Sequence, residues 1–184
     1  MEPQTQERPA APPRVREVDQ PVPFTLRDGR TMLLRRIRPD DAEDLVEGFR
    51  MLSPRSVRMR FFSPMRELDP RFARRLADVD FVSRAAFVAT FPDDDQVRAV
   101  GRYESDSPGV AEVAFVTLDE LQGQGIASAM LERLVDLARS NGIRTFVAYV
   151  LPENAAMLNL FRRCGLPRRI RRDGELIRVE LDLS

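Results

Sequence analysis

The chain has 184 residues, 43% of them hydrophobic and 32% charged, with 29 basic residues against 29 acidic ones and no histidine. That length suits one domain with a sizeable core, and the zero net charge argues against a dedicated nucleic-acid binder. Without histidine there is no Ser-His or Cys-His pair and no histidine metal site. All 29 basic residues are arginine, which reads as codon bias and also excludes a nucleophilic lysine. Cys164 is the single cysteine, so an internal disulfide is excluded and a cytoplasmic setting is expected. No apolar run reaches the ~18 residues of a membrane span, and the N-terminus lacks the apolar core of a secretory signal.

Six of the first 23 residues are proline, so residues 1–22 are expected to form a disordered or polyproline-like tail ahead of one domain, residues 23–184. "FTLRDGRTMLLRRI" predicts a hairpin about Asp28-Gly29. "RPDDAEDLVEGFRML" predicts a helix with Asp40 as N-cap, Glu43 three residues on, and Leu45, Val46, Phe49 and Leu52 as its apolar face. A short helix starting from Ser53 and stopped at Pro64 follows, then a third with Pro70 in its first turn. Residues 85–90, 96–105 and 109–118 are strand-like and joined by turn sequences, an antiparallel meander.

After the meander the period changes. Ile126, Met130, Leu134, Leu137 and Ala138 recur at helical spacing, and Asn141-Gly142 ends that helix. "RTFVAYVL" is a buried strand, "NAAMLNLFRRCG" a helix ended by glycine, and "RRIRRDGELIRVELDL" a hairpin about Asp173-Gly174. The order predicts a mixed α/β (α+β) fold.

"VTLDELQGQGIASAML" runs from a strand directly into a helix N-terminus, where free N–H groups and the helix dipole favour an anion. Gly123 and Gly125 lack the Cβ atoms that keep a phosphate off those groups. A dinucleotide fingerprint fits poorly, because Ser128 stands where its third small residue belongs, and the ATP-type loop needs a lysine. A tight turn with no ligand is the competing explanation.

"QGQGIA" (122–127) resembles the Q/R-x-x-G-x-G/A signature of the GNAT superfamily of N-acetyltransferases, with Gln122, Gly125 and Ala127 in its specified places. "ENAAMLNLFRRCGL" is similar to that family's later helix, and the resemblance covers residues 24–184. "IRPDDAEDL", "LSPRSVRMRFF" and "AEVAFVTLDELQGQGIA" look closest to the bacterial Pat-type protein lysine acetyltransferases. In that branch the GNAT module often follows a regulatory domain; the short proline-rich N-terminus here departs from that pattern, so regulation by a fused domain is not expected.

The resemblance implies a mostly antiparallel central sheet flanked by helices, with acetyl-CoA as cosubstrate and no metal. It implies that Gln122, Gly123, Gln124, Gly125, Ile126, Ala127 and Ser128 hold the pyrophosphate. Backbone N–H groups around Ala114, Phe115 and Val116 would hold the pantetheine arm and thioester oxygen. Asn154 would meet the cofactor's amide arm, cap a helix, or do both. Arg162 would reach a CoA phosphate or stay solvated.

Glu112, a charged residue inside an apolar strand and ten residues before Gln122, stands where Pat-type enzymes carry a catalytic glutamate. Shielding among apolar neighbours would raise its pKa, as a base for an amine requires. The alternative is a solvent-facing strand residue, and Asp119 and Glu120 are its competitors as base. Phe161 occupies the place of the family's usual tyrosine acid. Cys164 reads as packing rather than as a nucleophile.

The implied function is acetylation of protein lysines. The alternatives are acetylation of small or N-terminal amines, or a non-catalytic acyl-CoA-binding module. The implied partner is a lysine-bearing protein, with no nucleic acid, no membrane and an open oligomeric state.

Overall fold

The computed structural model describes residues 20–184. The expected tail, residues 1–22, therefore lies almost wholly outside the described residues, except that Val22 already belongs to the first strand. Strands β1 (Val22–Thr25) and β2 (Thr31–Arg36) form the expected hairpin, with Gly29 at φ 89° in its turn. The meander is β3 (Arg84–Phe91), β4 (Asp94–Ser107) and β5 (Val110–Thr117). After it come β6 (Thr145–Val150), β7 (Arg168–Asp173) and β8 (Leu176–Asp182). All belong to one eight-stranded sheet in the order β1-β2-β3-β4-β5-β6-β8-β7, and every neighbouring pair is antiparallel except β5–β6.

The helices are α1 (Ala42–Met51), α2 (Pro54–Phe61), α3 (Pro70–Ala77), α4 (Ile126–Ser140) and α5 (Ala155–Arg163). They divide the core by the pleat of the sheet. Phe87, Val113, Phe115 and Phe146 point to the side packed with Met130, Leu134 and Phe161 of α4 and α5. Their neighbours in sequence, Ala86 and Val88, point to the opposite side and pack with Ala42 and Ala77 of α1 and α3. Phe49 of α1, Val57 of α2 and Ala73 of α3 close a third cluster among the helices themselves.

Two sequence expectations need correction. Asp40 does not cap α1: a tighter turn at Pro39–Asp41 comes first, and Asp41 is the capping residue, without a side-chain bond to the helix. The reason is a competing partner. Asp41 accepts two hydrogen bonds from the buried Arg35 guanidinium, both 2.8 Å, and one from the Arg38 N–H at 2.7 Å. Such a bidentate buried pair is a strong charge-assisted contact, and it fixes where β2 hands over to α1. Nor does α2 run to Pro64; it stops at Phe61 because Phe62 takes a left-handed conformation, φ 62°.

Gly101 shows how closely α4 approaches the sheet. It lies opposite Phe87 on β3 and Phe115 on β5, and an added Cβ would stand 2.9 Å from the Phe115 ring and 3.0 Å from Met130. Both obstacles are buried, so neither side chain has room to give way. Gly101→Ala should cost ~1–3 kcal/mol by overpacking, read as a lower denaturant midpoint with an unchanged slope; an unchanged midpoint would show the α4–sheet contact to be looser than this.

Candidate functional site

Three elements meet at the one parallel seam of the sheet. β5 and β6 pair only at Val110–Thr145, Ala111–Phe146 and Glu112–Val147. Beyond Glu112, β5 stays paired with β4 as far as Thr117, and β6 stays paired with β8 as far as Val150. The two strands therefore splay, and Ala114, Phe115 and Val116 border a gap on the side away from β4. Phe115 turns its ring into the core, 6.3 Å from that of Phe161, so only its backbone faces the gap.

The glycine loop lies at the end of β5. A short turn at Asp119–Leu121, anchored by buried Leu121, leads into it. Gly123 (φ 77°) and Gly125 (φ 95°) are left-handed, a region disfavoured for other residues. A Cβ at either glycine would meet nothing within 4 Å, so the space over the loop is open. Gly125 starts α4 without a side-chain cap, and among the described residues the N–H groups of Gly125, Ile126 and Ala127 have no acceptor. The Ile126 side chain is buried and Ser128 is exposed in the first turn.

The loop is braced from both sides. The Arg27 N–H donates to the Gln124 carbonyl at 3.2 Å, the Asp28 N–H to Gln124 Oε1 at 3.1 Å, and Arg27 Nη1 to the Gly123 carbonyl at 3.0 Å. Gln122 Nε2 donates to Ser56 Oγ at 2.9 Å and to the Thr117 carbonyl at 3.2 Å, so its side chain serves the scaffold. Asp119 accepts from the Ser53 N–H, Ser53 Oγ and Ser56 Oγ at 3.0, 2.7 and 2.8 Å. Burial works to raise the pKa of Asp119, but these serine donors outweigh it and hold the carboxyl below its usual range. Of the two loop carboxylates, Asp119 is thus committed to tying α2 to the loop.

Glu112 sits on the last paired rung, on the same face as Ala114 and Val116 and opposite to Val113 and Phe115. Glu112 is exposed at the surface of β5, yet the packing on one side of its carboxyl is close enough to raise its pKa. Burial is the largest cause of that rise, Glu104 directly across the strand pair and Asp106 add to it, and Arg60 opposes it.

On α5, Asn154 caps the helix: its Oδ1 accepts from the Met157 N–H at 3.1 Å, which leaves the amide NH2 to donate elsewhere. Arg162 is exposed and reaches Asn159 at 3.4 Å. Phe161 is fully buried and has no proton to give. The Cys164 thiol donates to the Phe161 carbonyl at 3.2 Å, consistent with packing.

A cavity of about 70 Å³ opens between α1, α2 and the β4–β5 pair, on the Glu112 face. Its walls are mostly apolar, with Phe49, Phe61, Val100 and Val116 among them, but Arg60 and Arg102 also line it. Arg60, on the last turn of α2, is only partly exposed. Its guanidinium is shielded deeply enough for burial to lower its pKa to about 10. The alternation of β4 was the available signal for Arg102, which shares a face with Val100; nothing local marked Arg60.

A model of the acetyltransferase (GNAT) domain matches residues 31–167. An acetyltransferase of Pseudomonas aeruginosa is 34% identical over 139 residues, 74% of this chain and 75% of that protein. The acetyltransferase Pat of Mycolicibacterium smegmatis is 31% identical over 165 residues, 89% of this chain and 49% of its own length, so the chain spans about half of that relative. The crystal structure of the GNAT domain of S. lividans PAT is 36% identical with a TM-score of 0.80, over 88% of this chain and 96% of that one. With the splayed seam, the glycine loop and these likenesses in agreement, the chain belongs to the GNAT family of N-acetyltransferases.

Proposed function

We propose that the protein transfers the acetyl group of acetyl-CoA to the side-chain amine of protein lysines, with Glu112 as general base. The observation that carries this reading is the position of Glu112: a carboxyl with a raised pKa on the last rung before the strands part. The open space over Gly123 and Gly125 and the unpaired N–H groups opening α4 fit a pyrophosphate. The lysine acceptor rests on the resemblance to Pat-type enzymes.

Acetyl-CoA supplies the activated thioester carbonyl; the chain's residues do the rest. Glu112 takes a proton from the incoming ammonium, directly or through a water, because a protonated amine has no lone pair with which to attack. Those backbone N–H groups of residues 114–116 that point away from β4 donate to the carbonyl oxygen as charge develops there. Bond formation from nitrogen to carbon is matched by cleavage of carbon to sulfur, giving an amide and the CoA thiolate. Since Phe161 cannot donate, the thiolate takes its proton from solvent. Asn154 is free to donate to the pantetheine arm through its amide NH2, and Arg162, about two helix turns further along α5, is a candidate for a CoA phosphate.

The first test is release of CoA thiol in the presence of lysine-bearing proteins. Glu112→Gln should lower kcat by about 10²-fold or more while CoA binding is kept; full turnover in the variant rejects Glu112 as base. Because the chain has no lysine of its own, every acetyl-lysine detected comes from the acceptor.

The pH profile carries a sign. Glu112 acts when deprotonated, and its pKa is raised, so the acid limb of kcat/KM should lie above the usual glutamate value of about 4.3. Arg60 opposes that rise, so Arg60→Met should move the limb to still higher pH. A limb at the ordinary value in both proteins contradicts the assignment.

Gly125→Val should weaken CoA binding about tenfold or more, since left-handed strain costs ~1–3 kcal/mol and the branched side chain fills the space over the loop. Unchanged affinity, measured by calorimetry, removes the loop from the binding site.

A further inference from the structure

Arg60 and Arg102 border an otherwise apolar cavity on the Glu112 face of the sheet, and each has few partners of its own. Among the described residues, no hydrogen-bond acceptor and no carboxylate contacts the Arg60 guanidinium, which lies 5.0 Å from the Phe61 ring centroid. Arg102 is 7% exposed and makes only long contacts, 3.4 Å to the Leu76 carbonyl and 3.6 Å to Glu104. The charge of Arg102 works with burial to lower the pKa of Arg60, so the two guanidinium groups repel each other. Arg98, which also lines the cavity, is paired with Asp94, and Asp44, the acid on its wall, accepts from the Val97 N–H.

Holding two guanidinium groups against apolar side chains with so few close partners is costly, and Glu112, the acid whose charge Arg60 feels, is not in hydrogen-bond contact with it. The arrangement persists because the fold holds it: Arg60 is on the last turn of α2, which Asp119 ties down through Ser53 and Ser56, and Arg102 is in the middle of β4. A planar anion entering the cavity removes that cost, because each guanidinium offers a fork of N–H donors matched to two carboxylate oxygens. The same two charges repel an ammonium, so the cavity does not suit the amine itself.

We propose that the cavity lined by Arg60 and Arg102 is an acceptor subsite for a carboxylate, so that the protein selects amines carrying a carboxylate within a few atoms. The inference rests on the reading of Glu112 as the place where the amine is acetylated. The carboxylate can come from an acidic side chain beside the target lysine or from a free amino acid. In either case the acceptor is pre-positioned by an ion pair formed out of water, where it is strongest.

The test uses acceptor pairs that differ only in that group: lysyl peptides with glutamate or glutamine beside the lysine, and free amino acids beside their amides. The carboxylate member of a pair should have a kcat/KM higher by about tenfold or more. In Arg60→Met the ratio should fall to near one, with CoA affinity kept as the control for folding, and Arg60→Lys should keep an intermediate ratio. The ratio is the readout because removing Arg60 also shifts Glu112 and changes both rates together. Selection in the peptide pair alone identifies a side-chain carboxylate as the source, and selection in the amino-acid pair alone a small-molecule acceptor.

Equal rates within both pairs, or a preference that survives in Arg60→Met, overturns the subsite. A binding arm separates this from failure of the catalytic reading: the same pairs are titrated by calorimetry into CoA-saturated Glu112→Gln. Arg60-dependent selection in binding with no turnover in the wild type keeps the subsite and rejects the base. Equal binding within both pairs rejects the subsite whatever the turnover.

Discussion

The structure turns on a parallel seam three residues long. β5 is bound to β4 along its length, and β6 to β8, but the two hairpin-built halves share only the rungs from Val110 to Glu112. Parallel pairing is the weaker kind per residue, and a seam this short leaves backbone groups of β5 with no strand on one side. In a closed sheet those groups would be satisfied; here they line a gap. The glycine loop, the start of α4 and the cap of α5 are all placed relative to that gap, and Glu112 marks its closed end.

The two faces of the sheet have different work. On one face the pleat buries phenylalanines against α4 and α5, and Gly101 and Phe161 make that contact close enough to be rigid. On the other face the same strands present Glu112, Ala114, Val116, Val100 and Arg102 beneath α1 and α2. The pKa of Glu112 is raised by the packing around its carboxyl and by Glu104 and Asp106, and Arg60 opposes that rise. The charge balance around Glu112 is therefore set by two different elements, β4 and α2.

Those elements are mechanically joined. Asp119 holds the first turn of α2 by three hydrogen bonds, and Gln122 reaches the same Ser56 from the next turn of chain. Arg27 and Asp28 hold the other side of the loop from the first hairpin. The glycine loop and the helix that carries Arg60 are thus tied together by hydrogen bonds. The loop's backbone is left free to bind because its side chains are spent on holding it.

The sequence by itself determined the elements, because their signals are local: the period of Ile126 to Ala138, the alternation in the meander, the turn chemistry of Asp28-Gly29 and Asp173-Gly174. It also determined the family and Glu112 as candidate base, because a glycine motif and a charged residue in an apolar strand are visible in one dimension. The cap of α1 was misplaced because Asp41 is claimed by Arg35, a partner supplied by the strand before the helix. Only the tertiary structure decided where β5 and β6 part, since that depends on what each strand pairs with on its far side. It alone brought Arg60 and Arg102 into one cavity, since a charge is read as solvated until long-range packing removes the water around it. Local chemistry writes the elements; burial, which is collective, decides which charges become a site.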